Sequence, residues 1–113
     1  MSTVLQRKQR LEYNLKKVVA SLKEKYHPEK IILFGSMASG DITETSDIDL
    51  LIIKETTKGF FDRLREVVTL CDYNVGVDII VYTPEEYERA CEKSLFFREE
   101  ILKKGKVIYE GGV

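Results

Sequence analysis

Hydrophobic residues near the start of the chain recur at spacings of three and four, with lysines and arginines between them. This pattern predicts an amphipathic helix whose apolar side faces a core. Its apolar positions are Leu11, Leu15, Val18, Val19 and Leu22. His27-Pro28 is expected to end the helix in a turn, because the residue before a proline avoids the α region. A short apolar run at residues 31–34 then predicts a buried strand.

The middle of the chain continues with alternating turns, strands and helices. Ser36–Ser39 fits one helical turn, and Gly40 suits its left-handed end. A polar loop precedes a second predicted strand over residues 47–53. A second amphipathic helix, residues 60–71, leads into a third predicted strand, residues 77–82.

The last third of the chain opens with a clear helix start. Residues 83–86 read Thr-Pro-Glu-Glu, so a capping threonine precedes a proline at the first helical position and a glutamate at the capping-box position. The helical pattern continues to Lys104 with a break near Ser94, and Gly105 is expected to end it. Residues 106–110 fit a short edge strand.

This order of elements predicts one α/β (α+β) domain, residues 1–113, with helices packed on a small mixed sheet of three or four strands. A chain of 113 residues has room for one core of ordinary size. No apolar run approaches the roughly 20 residues of a membrane span, and the first ten residues lack a secretory signal. We therefore expect a cytoplasmic protein without membrane contact.

Charge is balanced overall but uneven along the chain. The 18 basic and 19 acidic residues exclude a uniformly basic surface, so no direct nucleic-acid binding is expected. Eight basic residues precede Ile31, whereas residues 41–49 hold four acids and no base, which predicts a local acidic site. Cys71, Cys91 and His27 lack metal-ligand spacing, and the cysteines are expected to be reduced thiols.

Gly35 and Ser36 directly follow the first predicted strand. A glycine lets another group approach the backbone closely, and a serine hydroxyl beside a free N–H at a helix start favours phosphate. The pair also fits a simple turn with a helix cap, which is the commoner role of such a dipeptide.

Asp47 and Asp49 open the second predicted strand, and the residues after them are uniformly apolar, as in a strand covered on both faces. Alternate strand residues share a face, which places both carboxylates at the rim of a core with backbones roughly 7 Å apart. Such a pair can hold one cation, and Mg²⁺ suits it because Mg²⁺ also accepts phosphate oxygens. A solvated strand end is the alternative interpretation.

Asp78 stands among β-branched residues near the start of the third predicted strand. If that strand lies beside the second, Asp78 can serve as a third metal ligand and as a general base for a hydroxyl. A strand-end acid that faces water is again the alternative. Together, the glycine-serine turn and the three carboxylates predict a site for Mg²⁺ and a polyphosphate, as in phosphoryl or nucleotidyl transfer.

The combined motif resembles a known family. Gly35-Ser36, ten residues and then Asp47-Ile48-Asp49 match the Gly-Ser-x10-Asp-x-Asp signature of the polymerase-β-like nucleotidyltransferases. Asp78 stands where that family places its third catalytic aspartate. The short chain and its closing helix and strand resemble the minimal nucleotidyltransferases, the MNT group. The similarity covers about residues 31–110, and the motif is specific in combination.

The resemblance implies a polymerase-β-like core that moves an NMP from ATP, or from another NTP, to a hydroxyl group. Gly35 and Ser36 would bind the triphosphate. Asp47 and Asp49 would hold one or two Mg²⁺ ions, and Asp78 would complete the metal site and help to deprotonate the acceptor. Some relatives are antitoxins that attach AMP to a tyrosine of an HEPN ribonuclease, so an HEPN-domain partner is expected.

One position departs from the family pattern. Relatives commonly carry Gly-Ser-x-Ala-Arg-Gly, whereas Ser39 stands here in place of the basic residue. The lost charge predicts weaker activity unless another basic residue supplies it. Because the chain has little beyond the catalytic core, the acceptor is expected on a partner protein or at a homodimer interface. Leu95-Phe96-Phe97 could form a docking patch or simply complete the core.

Two further functions stay open. Ser39 also suits a binding module that neutralises a toxin by complex formation with little or no catalysis. A small-molecule enzyme that adenylylates an aminoglycoside-like hydroxyl would work as a homodimer without a protein partner. A nucleic-acid polymerase is disfavoured, because the chain lacks a basic surface and a template-holding domain.

Overall fold

The computed structural model describes residues 3–111, and its helices and strands follow the predicted order. The helices are α1 (Val4–Lys25), α2 (Ser36–Ser39), α3 (Phe60–Leu70) and α4 (Pro84–Lys93), followed by a π-helical segment (Phe97–Lys103). The strands are β1 (Lys30–Phe34), β2 (Ile48–Ile53), β3 (Val77–Tyr82) and β4 (Lys106–Glu110).

The four strands form one mixed sheet in the order β3-β2-β1-β4. Strand β1 is antiparallel to both β2 and β4, whereas β2 and β3 are parallel and are connected through α3. This arrangement confirms the predicted α/β class with a small mixed sheet. The single-domain prediction spans residues 1–113 and stays a prediction, since residues 1–2 and 112–113 lie outside the described part.

The pleat of the sheet divides the core into two layers. On the first face, α1 and α3 bury a large apolar layer, which includes Leu11, Val18, Leu22, Ile31, Leu33, Leu50, Ile52 and Val67. On the second face, α4 and the π-helical segment cover a smaller layer, formed by Ile32, Leu51, Ile53, Phe97 and Ile101. Asp49 alternates with Leu50 along β2, so its carboxylate points to the second face together with Leu51.

Helix α1 starts earlier than the apolar pattern indicated. Thr3 caps it, since the threonine hydroxyl accepts a hydrogen bond from the Gln6 N–H at 3.0 Å. The Gln6 side chain in turn accepts from the Thr3 N–H at 2.8 Å, which completes a capping box. The helix ends at Lys25, and His27 takes a left-handed conformation with φ of 56° in the expected turn before Pro28.

The last third of the chain confirms one prediction and corrects another. Thr83 caps α4 by accepting from the Glu86 N–H at 3.2 Å, while the Glu86 carboxylate accepts from the Thr83 N–H at 2.8 Å. The helix breaks at Ser94, as predicted. Beyond the break, the chain winds as a π-helix rather than the predicted α-helix. The buried side chains of this segment, Phe97 and Ile101, are four residues apart, a spacing that both helix types allow.

Two smaller features complete the description. Cys71 and Cys91 are free and half-buried, and burial raises the pKa of the Cys71 thiol. Across residues 3–111, no helix has the length and apolar character that a membrane crossing requires. The cytoplasmic location stays a prediction.

Candidate active site

The turn after β1 needs a glycine for two reasons. Gly35 has φ of 74° and ψ of −159°, a backbone conformation that side chains rarely allow. A Cβ atom at this position would also collide with Oδ2 of Asp49. The backbone of Gly35 therefore lies directly against the Asp49 carboxylate, as a site for a phosphate beside a metal ion requires.

Helix α2 is a single turn held by its own backbone. The Gly35 carbonyl accepts hydrogen bonds from the Ala38 and Ser39 N–H groups, both at 3.1 Å, and Gly40 closes the turn with φ of 89°. Because the first N–H groups of a helix lack partners within it, those at Ser36 and the next residue are available to an anion. The geometry is compatible with the predicted triphosphate-binding role of Gly35 and Ser36.

Asp49 and Asp78 meet across the parallel strands. They are register partners in β2 and β3, so the two side chains start from neighbouring positions. Burial, the charge of Asp78 and a hydrogen bond with it, and the charge of Asp47 together raise the pKa of Asp49 to about 6. Asp78 is exposed and Asp49 is half-buried, which leaves this carboxylate pair accessible to a substrate.

Asp47 lies differently from its predicted position. Strand β2 begins at Ile48, so the predicted strand start at Asp47 is wrong by one residue, and a turn rather than the strand pleat orients its carboxylate. A Cβ atom on Gly76 would lie 2.5 Å from Oδ1 of Asp47, so the carboxylate packs against that glycine. The position of the Asp47 carboxylate therefore depends on Gly76, just before β3, since a side chain at Gly76 would displace it.

The sequence analysis assigned no role to Arg7, which lies at the site. Its Nη2 donates to Oδ1 of Asp47 at 3.1 Å, and its Nε donates to the Ser46 carbonyl at 2.8 Å. Arg7 is 40 residues from Asp47 along the chain, and only its place on α1, four residues before Leu11, could have indicated that it faces inward.

Ser39 fills the position of the missing basic residue without contributing charge. Its hydroxyl lies 3.3 Å from both the Ser36 carbonyl and a carboxylate oxygen of Asp41. The Ser39 side chain thus stabilises the α2 turn through local hydrogen bonds. Arg7 supplies a cation near the three aspartates, although it binds Asp47 rather than the α2 turn.

The three aspartates fit Mg²⁺ by their chemistry. Within residues 3–111, no group of three or more His, Cys, Asp or Glu side chains is arranged to hold a metal ion. Mg²⁺ commonly takes only one or two carboxylates, with phosphate oxygens and water as its other ligands, so the adjacent pair Asp49 and Asp78 suits it. Burial is the largest cause of the raised pKa of Asp49, and the repulsion from Asp78 that adds to it is the kind that a bound divalent cation relieves.

The apolar segment 95–97 divides between two environments. Phe97 is 5% exposed and stacks on Tyr82 with ring centroids 5.7 Å apart, so it belongs to the core of the second face. Leu95 and Phe96 are 66% and 61% exposed. The core interpretation is confirmed for Phe97, and a docking role stays a prediction for the other two.

Comparisons with known proteins agree on one family. The family model described as "Polymerase beta, Nucleotidyltransferase" matches residues 16–111. Two proteins of Methanocaldococcus jannaschii, each named "Putative protein adenylyltransferase", are 39% identical over 102 residues and 30% identical over 90 residues. The first match covers 87% of this chain and 97% of the relative, and the second covers 80% and 86%.

A solved structure shares the architecture. The crystal structure of "a putative nucleotidyltransferase" from Sulfolobus solfataricus superposes with a TM-score of 0.67 at 25% sequence identity. The match covers 100% of this chain and 95% of that one, so it includes every strand and helix described above.

Proposed function

The chain belongs to the polymerase-β nucleotidyltransferase family, and from that premise we propose that it moves AMP from ATP to a hydroxyl group of a protein partner. That the protein is a nucleotidyltransferase follows from its family and relatives. The observation that supports the proposal best is the meeting of Asp49 and Asp78 beside the Gly35 backbone. The names of the relatives favour AMP as the group and a protein as the acceptor.

Each site residue has a definite task in this reaction. The α2 turn at Gly35 and Ser36 binds the triphosphate through backbone N–H groups. Asp49 and Asp78 would hold Mg²⁺ together with phosphate oxygens, and Asp47 would complete the set for one or two ions. Bound Mg²⁺ would supply positive charge to the phosphate oxygens.

The transfer itself exchanges a phosphoanhydride bond of ATP for a phosphate ester bond to the acceptor. The acceptor oxygen attacks the α-phosphorus of ATP, the bond from that phosphorus to the bridging oxygen breaks, and pyrophosphate leaves. The exposed carboxylate of Asp78 takes the proton of the acceptor hydroxyl. Because the Asp78 side chain is exposed, an acceptor carried on another molecule can reach it.

We infer that this molecule is an HEPN-domain toxin and that its acceptor is a tyrosine hydroxyl. Modification would silence the toxin, so the protein would act as the antitoxin of the pair. The resemblance to the minimal nucleotidyltransferases supports this partner. The absence of direct nucleic-acid binding stays a prediction. A homodimer stays a second prediction for the way in which the site is completed.

The test is label transfer in native lysate. Wild-type protein and Mg²⁺ are incubated with ATP labelled at the α-phosphate, beside ATP labelled at the γ-phosphate. We expect a discrete protein band labelled only from the α-phosphate. Asp78→Asn should lower the labelling rate by about 10²–10⁴-fold, the usual contribution of a general base.

Asp72→Asn is the matched control, since the Asp72 side chain is 97% exposed and lies outside the site. It should label at the wild-type rate. Equal labelling by the Asp78 variant would contradict the assigned role of Asp78. Absence of a labelled protein with every NTP would contradict protein nucleotidylation, and a labelled small molecule would then identify the acceptor class.

A second candidate function is neutralisation by complex formation alone. Ser39 favours it, because the residue braces its own turn and brings no charge to the phosphate site. A variant carrying Asp47→Asn and Asp49→Asn separates the two functions. If that variant still neutralised the toxin in cells at wild-type expression, binding rather than catalysis would account for the effect.

A further inference from the structure

Helix α1 presents a polar stripe to the turn before β2 and to the turn before β3. Arg7, Arg10 and Asn14 stand on the same side of the helix as the buried Leu11. Arg7 contacts the turn before β2, and Arg10 donates to the Asn74 carbonyl in the turn before β3. The N-terminal half of α1 thus connects the two turns that lead into β2 and β3, the strands that carry Asp49 and Asp78.

Asn14 fixes the second of these turns. It is fully buried, and its amide donates to Oδ1 of Asn74 at 2.9 Å. The Asn74 N–H donates back to Oδ1 of Asn14 at 3.0 Å. This reciprocal pair holds the chain two residues before Gly76, the glycine against which Asp47 packs.

Arg7 fixes the first turn at two points. Its Nε holds the Ser46 carbonyl at 2.8 Å and its Nη2 holds Oδ1 of Asp47 at 3.1 Å. The Arg7 side chain is 17% exposed and the Asp47 side chain is 44% exposed, so the guanidinium is shielded from solvent while the carboxylate stays accessible. Within residues 3–111, no hydrogen bond is donated to Oδ2 of Asp47, so that oxygen remains for a cation.

We propose that Arg7 is a positioning residue that orients the Asp47 carboxylate toward the metal ion, an inference that rests on the proposed function. A guanidinium can donate at two points in a fixed fork, which a lysine cannot do. Arg7 holds one oxygen of the carboxylate and also the backbone carbonyl of the preceding residue, Ser46. Outer contacts of this kind govern the metal affinity of the ligand that they orient.

A competing role for Arg7 predicts the opposite change in metal affinity. If Arg7 were a substitute cation that must leave before a metal ion enters, its removal would strengthen metal binding. The direction of the change in affinity therefore decides between the two roles, and it can be measured without any nucleotide or acceptor.

The experiment measures Mn²⁺ binding to the purified full-length protein, by the electron paramagnetic resonance signal of free Mn²⁺. Wild type is compared with Arg7→Lys and Arg7→Gln. We expect the dissociation constant to rise about tenfold in both variants, with no rescue by lysine. Arg65→Lys is the matched control, because Arg65 is 74% exposed and pairs with Asp62 at 3.3 Å on the surface of α3. It should bind Mn²⁺ like wild type.

Each other outcome overturns the proposal. Unchanged or tighter Mn²⁺ binding in the Arg7 variants would refute positioning, as would full rescue by Arg7→Lys. Thermal unfolding checks the fold, and failure of both variants to fold would make Arg7 a structural residue only. If the expected affinity pattern appears while wild type transfers no NMP, Arg7 keeps its positioning role and the proposed function alone fails.

Discussion

The two faces of the sheet differ in how far their helical cover extends. On the first face, all three β2 side chains are fully buried under α1 and α3: Ile48, Leu50 and Ile52. On the second face, Leu51 and Ile53 are buried under α4 and the π-helical segment, but Asp49 is only half-buried. The cover of the second face therefore stops before the start of β2, where Asp49 meets Asp78.

This difference separates stability from chemistry within one small sheet. The first face removes apolar area from water along the whole of β2, which is the main source of folding free energy. The second face leaves clustered carboxylates at the end of its core, where burial first and then the neighbouring carboxylates raise the pKa of Asp49. The uncovered end costs stability, and the same end admits a substrate.

The largest expected effect tests the cover of the second face. Phe97→Ala should lower the free energy of unfolding by about 3–5 kcal/mol, because a buried aromatic ring leaves a cavity. Phe96→Ala, one residue earlier, is the matched control, since Phe96 is 61% exposed and its loss should change stability by less than about 0.5 kcal/mol. Urea unfolding measures both, and equal losses would contradict the division between these neighbours.

An intermediate effect tests the glycine beside the carboxylates. Gly35→Ala should destabilise the protein by about 1–3 kcal/mol and abolish transfer, because φ is positive and the new Cβ collides with Asp49. Gly40→Ala has a similar positive φ but open space around its Cβ. The Gly40→Ala variant should also lose stability, but it should keep much more of its transfer activity than Gly35→Ala. Unfolding curves and transfer rates distinguish the two, and similar losses of transfer would show that backbone strain alone matters.

The smallest effect tests the charge cluster through pH. The pKa of Asp49 is about 6 in the folded protein against an ordinary value of 3.8, so the folded state binds more protons between these values. The contribution of this group to stability therefore falls as pH rises from about 4 to about 6. Asp49→Asn removes the titration and should gain about 1 kcal/mol over wild type at pH 7, discounted because the carboxyl is partly exposed.

Metal-free urea unfolding at pH 4 and pH 7 measures this gain. Glu86 has the opposite influence: burial raises its pKa, but hydrogen bonds from Thr83 and Arg63 lower the pKa overall. Since Glu86 is present in both proteins, its influence cancels in the comparison. A gain of equal size at both pH values would refute the raised pKa of Asp49, and Asp72→Asn should show none.

Much of the candidate site was predictable because its signals are local. Gly35 is needed by its own backbone angle, and Gly40 ends the turn that the sequence indicated. Asp49 and Asp78 each stand at the second position of a strand that the apolar runs marked. Parallel pairing in register then brings them side by side, as the sequence analysis expected for adjacent strands.

Other features were not predictable from the pattern, because they depend on distant contacts. The β2 boundary falls after Asp47, where Arg7 and Gly76 rather than a neighbouring strand hold the carboxylate. Phe96 and Phe97 are identical in type and adjacent in sequence, yet one is exposed and the other is buried. Hydrophobicity could not separate them, since only the position of the segment over the sheet decides which ring faces inward.

Local patterns were enough to predict the order of the elements, the mixed α/β class and the cap of α4, because each depends on residues within a few positions of one another. Three further features arise only when the chain folds: the order of the strands, the end of the helical cover and the pairing of Arg7 with Asp47 across 40 residues. Those outcomes depend on which surfaces pack together. Packing is a property of the whole fold, and no local spacing of residues encodes it.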